Sequence, residues 1–166
     1  MPRIARTTLL AMLLATVTAG IAQAAVVQTA CSTPVESKAV TGNDLFETTS
    51  KTFVRVHGAA VTITVPPTVT RCVKVRFTGS VTCKAPSGTQ TCFIRALAAG
   101  SEMNPQGVAQ QALSGPLPQP TGLGFQWVKR LSAGQYVIQV QVRSVNVPET
   151  ITVGIDDWMM DVEVLN

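Results

Sequence analysis

The chain has 166 residues, of which 46% are hydrophobic and 13% charged, and its formal net charge is +4 at pH 7. Two of its 13 basic residues precede residue 24 and all 9 acidic residues follow it, so the chain beyond that point is only weakly basic. Nucleic-acid binding needs a concentrated basic face with stacking aromatic residues, yet only 5% of the residues are aromatic. The composition argues against a nucleic-acid partner, and the length fits one domain.

Residues 1–24 have the pattern of a secretory signal peptide. Arg3 and Arg6 give a positively charged start, residues 9–19 form an apolar run, and residues 22–24 match a small-x-small cleavage pattern. The run is shorter than the roughly 20 residues that span a bilayer, so we predict no membrane span. We expect cleavage near Ala24 and a secreted or periplasmic protein.

Residues 25–50 are predicted to be an N-terminal segment outside the main domain, which we place at 51–166. Residues 36–50 are polar and hold at most one short strand or turn, around Leu45 and Phe46. A disulfide is expected to pin this segment to the domain.

Four cysteines in an exported chain favour two disulfides, with three conceivable pairings. If the strand between Cys72 and Cys83 is continuous, they lie about 36 Å apart, against the roughly 6 Å that a disulfide allows. We therefore predict Cys83–Cys92, closing a hairpin, and Cys31–Cys72, holding the N-terminal segment. A zinc site is the alternative, but the chain has no CxxC pair and one histidine.

Most of the remaining chain alternates between apolar and polar residues with a period of two. This alternation predicts half-buried strands, each with one wet face, and hence an antiparallel β-sandwich of about eight strands. The alternating stretches are 61–65, 73–81, 125–127, 136–143, 151–155 and 158–164. Trp127 and Trp158 share the parity of the apolar residues, so we expect both to be buried, each indole N–H with a partner inside.

Three stretches depart from the alternation. Residues 131–135 are predicted to be a hairpin turn between two long strands, and residues 101–121 a long loop with one helical turn at 108–113. The apolar parity changes across Asp156 and Asp157, which indicates a bulge or corner there.

Charge is segregated along the chain, with basic residues in the middle and acidic ones at the end. We expect the acidic C-terminal strand to lie beside the basic middle strands, although subunit contacts or an anionic polymer would also explain the separation. The candidate binding surface consists of Arg55, Lys74, Arg76 and Arg95.

The C-terminal acids allow two further hypotheses. Asp156, Asp157 and Asp161 are candidate calcium ligands, because hard cations take clustered carboxylate oxygens. Paired carboxylates could instead hydrolyse a glycosidic bond if they face each other across a cleft. The simpler interpretation is a turn followed by acids that pair with arginines.

The sequence FQWVKRLSAGQYVIQVQVR at 125–143, followed by IDDWMMDVEV at 155–164, resembles small exported bacterial proteins of unknown role. It also resembles the closing strands of C1q/TNF-like jelly rolls, in which a hydrophobic-x-L-x-x-G-x-Y hairpin precedes the last strands. The resemblance implies a jelly-roll sandwich, homotrimers, and binding to proteins or glycans.

These observations predict an exported, non-catalytic binding or assembly protein whose partner is a protein or glycan at the cell envelope. His57 is the only histidine and no GxSxG sequence occurs, so we predict no catalytic residue, and no cofactor other than calcium. The alternative is a glycan-acting enzyme or a calcium-dependent carbohydrate-binding module that uses the C-terminal acids.

Overall fold

The computed structural model describes residues 31, 33–84, 91–106, 112–114, 117–144 and 150–166, with the backbone alone at 112–114 and 117–120. These residues form ten β-strands. In chain order they are β1 (Pro34–Gly42), β2 (Phe46–Thr48), β3 (Val54–Val65), β4 (Arg71–Lys84), β5 (Thr91–Ala98), β6 (Ser101–Glu102), β7 (Ala112–Ser114), β8 (Leu117–Leu131), β9 (Gly134–Ser144) and β10 (Thr152–Leu165). Within these described ranges, no helix has the length and apolar character needed to cross a membrane.

The strands build two antiparallel five-stranded sheets. Sheet 1 has the order β1-β10-β4-β8, with β2 also paired to β10, and sheet 2 has the order β3-β9-β5-β6, with β7 also paired to β5. From β3 onward the long strands alternate between the sheets, which is the arrangement of a jelly roll. The predicted antiparallel β-sandwich is confirmed.

The core lies between the two sheets and consists of the apolar side chains that alternate with polar ones along each strand. Phe77, Ile94, Ile138 and Met160 are fully buried there. Burying one such side chain contributes roughly 1.5–3 kcal/mol, so the alternation itself drives the two sheets together.

Both tryptophans belong to this core, as predicted. Trp127 is 1% and Trp158 3% exposed. Trp158 stacks on Phe77, with ring centroids 5.8 Å apart. The indole N–H of Trp127 has no hydrogen-bond partner among the described residues, so the expectation of an internal partner fails for that ring.

The two disulfides have the predicted pairing, Cys31–Cys72 and Cys83–Cys92. The predicted reason for the second was wrong, because β4 and β5 lie in different sheets and do not form a hairpin. Cys83 and Cys92 are buried, and their bond joins the two sheets.

The hairpin predicted at 131–135 is also wrong. β8 pairs with β4 in sheet 1, whereas β9 pairs with β3 and β5 in sheet 2. The short connection therefore carries the chain from one sheet to the other. The Tyr136 hydroxyl donates a hydrogen bond of 3.1 Å to the Ser132 carbonyl across this corner.

Two stretches hold more strand than their composition indicated. Residues 34–42, placed by sequence in the N-terminal segment, form the edge strand β1 along β10. Residues 117–121, placed in the 101–121 loop, belong to β8, another edge, where proline is tolerated. A helical turn was predicted at 108–113. Of these residues, 112 and 113 belong to strand β7, and 108–111 lie outside the described residues.

The predicted bulge is confirmed. The register of β10 against β4 shifts between Asp156 and Met159, and Asp157 has a φ of 44°. The extra residue turns Trp158 into the core, where its ring lies against Gly42 and Gly58.

Candidate functional site

The structure divides the four predicted basic residues between two opposite surfaces. Lys74 and Arg76 lie on the outer face of sheet 1, because their neighbours in β4 point into the core. Arg55 and Arg95 lie on the outer face of sheet 2 and are joined through β9, where both pair with Gln141.

On sheet 1 the positive charges are met by the C-terminal acids, as predicted. The register places Lys74 opposite Glu163 and Arg76 opposite Asp161. Lys74 forms an ion pair with Glu163, and Arg76 pairs with both Glu163 and Asp161, the latter at 3.1 Å. Ser37 donates a further hydrogen bond of 3.1 Å to Asp161. The charges of Lys74 and Arg76 are therefore neutralised by the protein's own acids.

Sheet 2 presents a different surface, which we call the arginine face. Five of its six residues point outward from the adjacent strands β3, β9 and β5, and the sixth, Phe53, directly precedes β3. The six residues are Phe53, Arg55, Phe93, Arg95, Gln141 and Arg143.

Two rows cross this face. In the first row, Arg143 on β9 lies opposite Phe93 on β5, and Phe53 directly precedes the first residue of β3. In the next, Gln141 lies between Arg55 and Arg95. The alternation of β5 and β9 directs these side chains outward, because their neighbours fill the core.

Aromatic rings hold the guanidinium groups in place. The Arg95 guanidinium carbon lies 3.8 Å from the centre of the Phe53 ring, and that of Arg143 lies 4.4 Å from the centre of Phe93 and 5.0 Å from that of Phe53. Arg95 also donates two hydrogen bonds, of 2.9 and 2.7 Å, to the Gln141 side-chain oxygen. Cation–π contacts of this kind contribute about 0.5–1 kcal/mol each at exposed sites.

No ion pair within the described ranges neutralises Arg55, Arg95 or Arg143. Burial lowers the pKa of Arg95 below its ordinary value, the attraction of Glu102 raises it, and the charge of Arg143 lowers it further. Glu102 is thus an acidic neighbour, although one of its carboxylate oxygens is buried without a hydrogen-bond partner. The arginine face keeps a net positive charge.

Sequence reasoning identified Arg55 and Arg95 but missed the other four members of the face. The alternation of residues 136–143 puts Gln141 and Arg143 on the polar side of that strand, which is the signal available for them. Phe53 and Phe93 depart from the rule that aromatic residues take the buried parity, and that departure could have drawn attention to them. Their proximity to the arginines depends on the β3-β9-β5 order.

The structure does not bring the three metal candidates together. Asp156 accepts a hydrogen bond from the backbone N–H of Asp157 at the bulge, whereas Asp161 is bonded to Arg76 and Ser37 on the face of sheet 1. In the part of the chain that the structure describes, no group of three or more His, Cys, Asp or Glu residues is placed to hold a metal ion.

A shallow cleft lies beside the bulge and bears on the glycan-acting alternative. It is lined by Thr41, Asn43, Asp157 and Met159 among others. Asp156 and Asp161 do not line it, so no two of the three candidate acids face each other across it. The two-carboxylate arrangement that glycoside hydrolysis needs is not formed by these residues.

No protein-family model matches the chain, and no curated protein matches it. Among solved structures, it is similar to a β-glucosidase from Paenibacillus barengoltzii, with 14% sequence identity and a TM-score of 0.30. The match covers 66% of this chain and 10% of the enzyme chain. At that TM-score the likeness supports no statement about fold or activity.

Proposed function

We propose that this chain is an exported, non-catalytic binding protein that attaches to an anionic partner at the cell envelope through its arginine face. One observation carries the proposal. Arg55, Arg95 and Arg143 are gathered on sheet 2 with no ion pair among the described residues, while Lys74 and Arg76 of sheet 1 are paired with the protein's own acids.

Export is supported by the two disulfides, which indicate an oxidising extracellular or periplasmic environment. The signal-peptide pattern of residues 1–24 agrees with it. In this proposal the chain is cleaved near Ala24 and the remaining domain works outside the cytoplasm.

A binding role suits the chemistry of the face. Arginine stays charged at any physiological pH and does not exchange protons, so it serves recognition better than acid–base catalysis. Its planar fork of N–H donors matches carboxylate, sulfate and phosphate oxygens. Binding of this kind needs no cofactor.

The proposal is tested by chromatography on immobilised dextran sulfate with a rising sodium chloride gradient. We expect the Arg55→Gln/Arg143→Gln variant to elute at a clearly lower salt concentration than the unmodified protein, because two uncompensated charges are lost. Melting temperatures measured alongside show whether each variant is folded.

The matched control is Lys74→Gln/Arg76→Gln, which removes the same charge from sheet 1. It should elute close to the unmodified protein, because its cations are already paired. Equal shifts for the two variants would show that only net charge matters and would overturn the proposal.

Self-association is a second candidate, favoured by one observation on sheet 1. Met159 is 46% exposed and lies between Thr41 and Thr78 in the cross-strand register, which gives a small uncharged patch. The C1q/TNF-like resemblance adds the expectation of a homotrimer. Light scattering in calcium and in chelator would give three times the chain mass, reduced to one by Met159→Lys; a monomer in both conditions would contradict it.

A further inference from the structure

We infer that the partner of the arginine face is an acidic polysaccharide, a polymer whose sugar units carry carboxylates. This inference rests on the proposed function and names its ligand class. It follows from how the arginines are held, how far apart they lie, and what stands between them.

The stacking determines which part of each guanidinium is free to bind. Phe53 contacts Arg95 and Phe93 contacts Arg143 through the ring faces. The rings are thereby engaged by the protein's own cations. Arg95 uses its Nε and one Nη2 N–H on Gln141, so its Nη1/Nη2 edge and the N–H groups of Arg143 remain for a ligand. A carboxylate is the group that such an edge binds with two parallel hydrogen bonds.

The spacing of the charges favours a polymer over a single small anion. Arg55 and Arg95 are on the two strands that flank β9, so their Cα atoms are about 10 Å apart. Arg143 lies two residues further along β9 than Gln141, a step of about 7 Å. The three arginines thus start from three different strands and from two rows, so a chain with repeated carboxylates can meet each of them with a separate carboxylate.

Glutamine side chains complete the recognition surface. Gln139 and Gln141 are half-buried on the same side of β9. The Gln141 oxygen is used by Arg95, which leaves its amide N–H groups as donors. The amide of Gln141, between Arg55 and Arg95, suits a ligand that carries hydroxyls between its carboxylates, as a sugar polymer does.

An acidic peptide or a membrane fits this face less well. The backbone of β9 is hydrogen-bonded to β3 on one side and to β5 on the other, so a peptide cannot add a strand there. A membrane surface would favour apolar side chains free to insert, but Phe53 and Phe93 are half-buried and stacked against arginine.

The test measures binding of the full exported chain to four probes by isothermal titration calorimetry. The probes are polygalacturonate, its methyl ester, poly-L-glutamate, and vesicles of phosphatidylglycerol with phosphatidylcholine. We expect polygalacturonate to bind most tightly and its methyl ester not at all, because esterification removes the charge and keeps the sugar chain.

Variants locate the site. Arg95→Gln and Arg143→Gln should each weaken polygalacturonate binding about tenfold or more, since each removes hydrogen bonds to a charged group. Phe53→Leu keeps every charge and should weaken binding about two- to fivefold through lost positioning. Lys74→Gln on sheet 1 is the control and should leave the affinity unchanged.

The outcomes separate the inference from the proposed function. Tighter binding of poly-L-glutamate or of the vesicles through these arginines would overturn the polysaccharide and keep an anionic partner. Equal binding of the methyl ester, or no binding to any of the four probes, would overturn both.

Discussion

The outer faces of the two sheets both carry basic residues, but Lys74 and Arg76 on sheet 1 are paired with acids, whereas the arginines of sheet 2 have no ion pair among the described residues. On each face the basic residues alternate along a strand with apolar residues that point into the core. On sheet 1 the neighbour of β4 is β10, which brings Asp161 and Glu163 against Arg76 and Lys74. On sheet 2 the neighbour of β5 is β9, which brings Gln141 and Arg143 against Arg95 and Phe93.

The difference shows that a basic residue becomes a candidate ligand-binding group through its cross-strand neighbour. Opposite charges directly across a strand pair neutralise each other and contribute about 0.2–1 kcal/mol to stability, so Lys74 and Arg76 keep no uncompensated charge for a ligand. Arginines set beside glutamine and phenylalanine are ordered yet still lack a counter-ion.

The largest effect is expected from separating the sheets. Cys83→Ala/Cys92→Ala removes the disulfide that joins them and should lower the free energy of unfolding by about 2–5 kcal/mol, measured by urea denaturation. Because both faces depend on this shared core, binding to dextran sulfate should disappear at the urea concentration where the fold is lost. An unchanged denaturation midpoint would contradict the role of this bond.

A smaller loss is expected on the side of sheet 1 only. A Cβ atom on Gly42 would lie 2.5 Å from the Trp158 ring, so Gly42→Ala should destabilise the protein by about 1–3 kcal/mol. Gly122→Ala on β8 is the control, since a Cβ there meets nothing within 4 Å. Thermal melts measure both, and a similar small shift for each would refute the tight packing. Polyanion binding should survive in the folded Gly42→Ala variant.

The difference between the faces can be erased by removing the acids of sheet 1. Asp161→Asn/Glu163→Gln frees Lys74 and Arg76, so this face should gain a second polyanion site and the protein should elute from dextran sulfate at higher salt. Loss of the ion pairs should cost only about 0.2–1 kcal/mol per pair.

The control for this gain is Asp44→Asn/Asp157→Asn, which makes the same change in net charge away from the paired cations. Equal elution shifts for the two double variants would contradict the idea that pairing across β4 and β10 keeps Lys74 and Arg76 from binding a polyanion.

The smallest effect is expected from calcium. Asp156 and Asp157 lie at the bulge, whereas Asp161 is bonded to Arg76, so these three carboxylates do not converge. We expect the same melting temperature in calcium and in chelator. A rise with calcium that Asp157→Asn abolishes would revive the calcium-dependent alternative.

Much of the fold could be predicted because the core is encoded in local alternation. The parity of Phe77, Trp127 and Met160 assigned their burial, and the change of parity beside Trp158 located the bulge. The cysteine pairing followed from distance along a strand and loop-like spacing.

Strand neighbours could not be predicted in the same way, because pairing is a long-range property. The 131–135 turn resembled a hairpin since alternation is identical whether two strands pair or lie in opposite sheets. β1 was missed because an edge strand that exposes much of its surface shows little alternation. For the site, the cluster of basic residues in the middle of the chain pointed to Arg55 and Arg95, but their shared row with Gln141 required the β3-β9-β5 order.

The decisive measurement is an NMR titration of the isotope-labelled protein with polygalacturonate, following the backbone amides and the arginine Nε–H signals. We expect the largest shift changes at Arg55, Arg95, Gln141 and Arg143, with Lys74 and Arg76 unmoved. Changes centred on Lys74 and Arg76, or spread equally over both sheets, would contradict the assignment of binding to the arginine face.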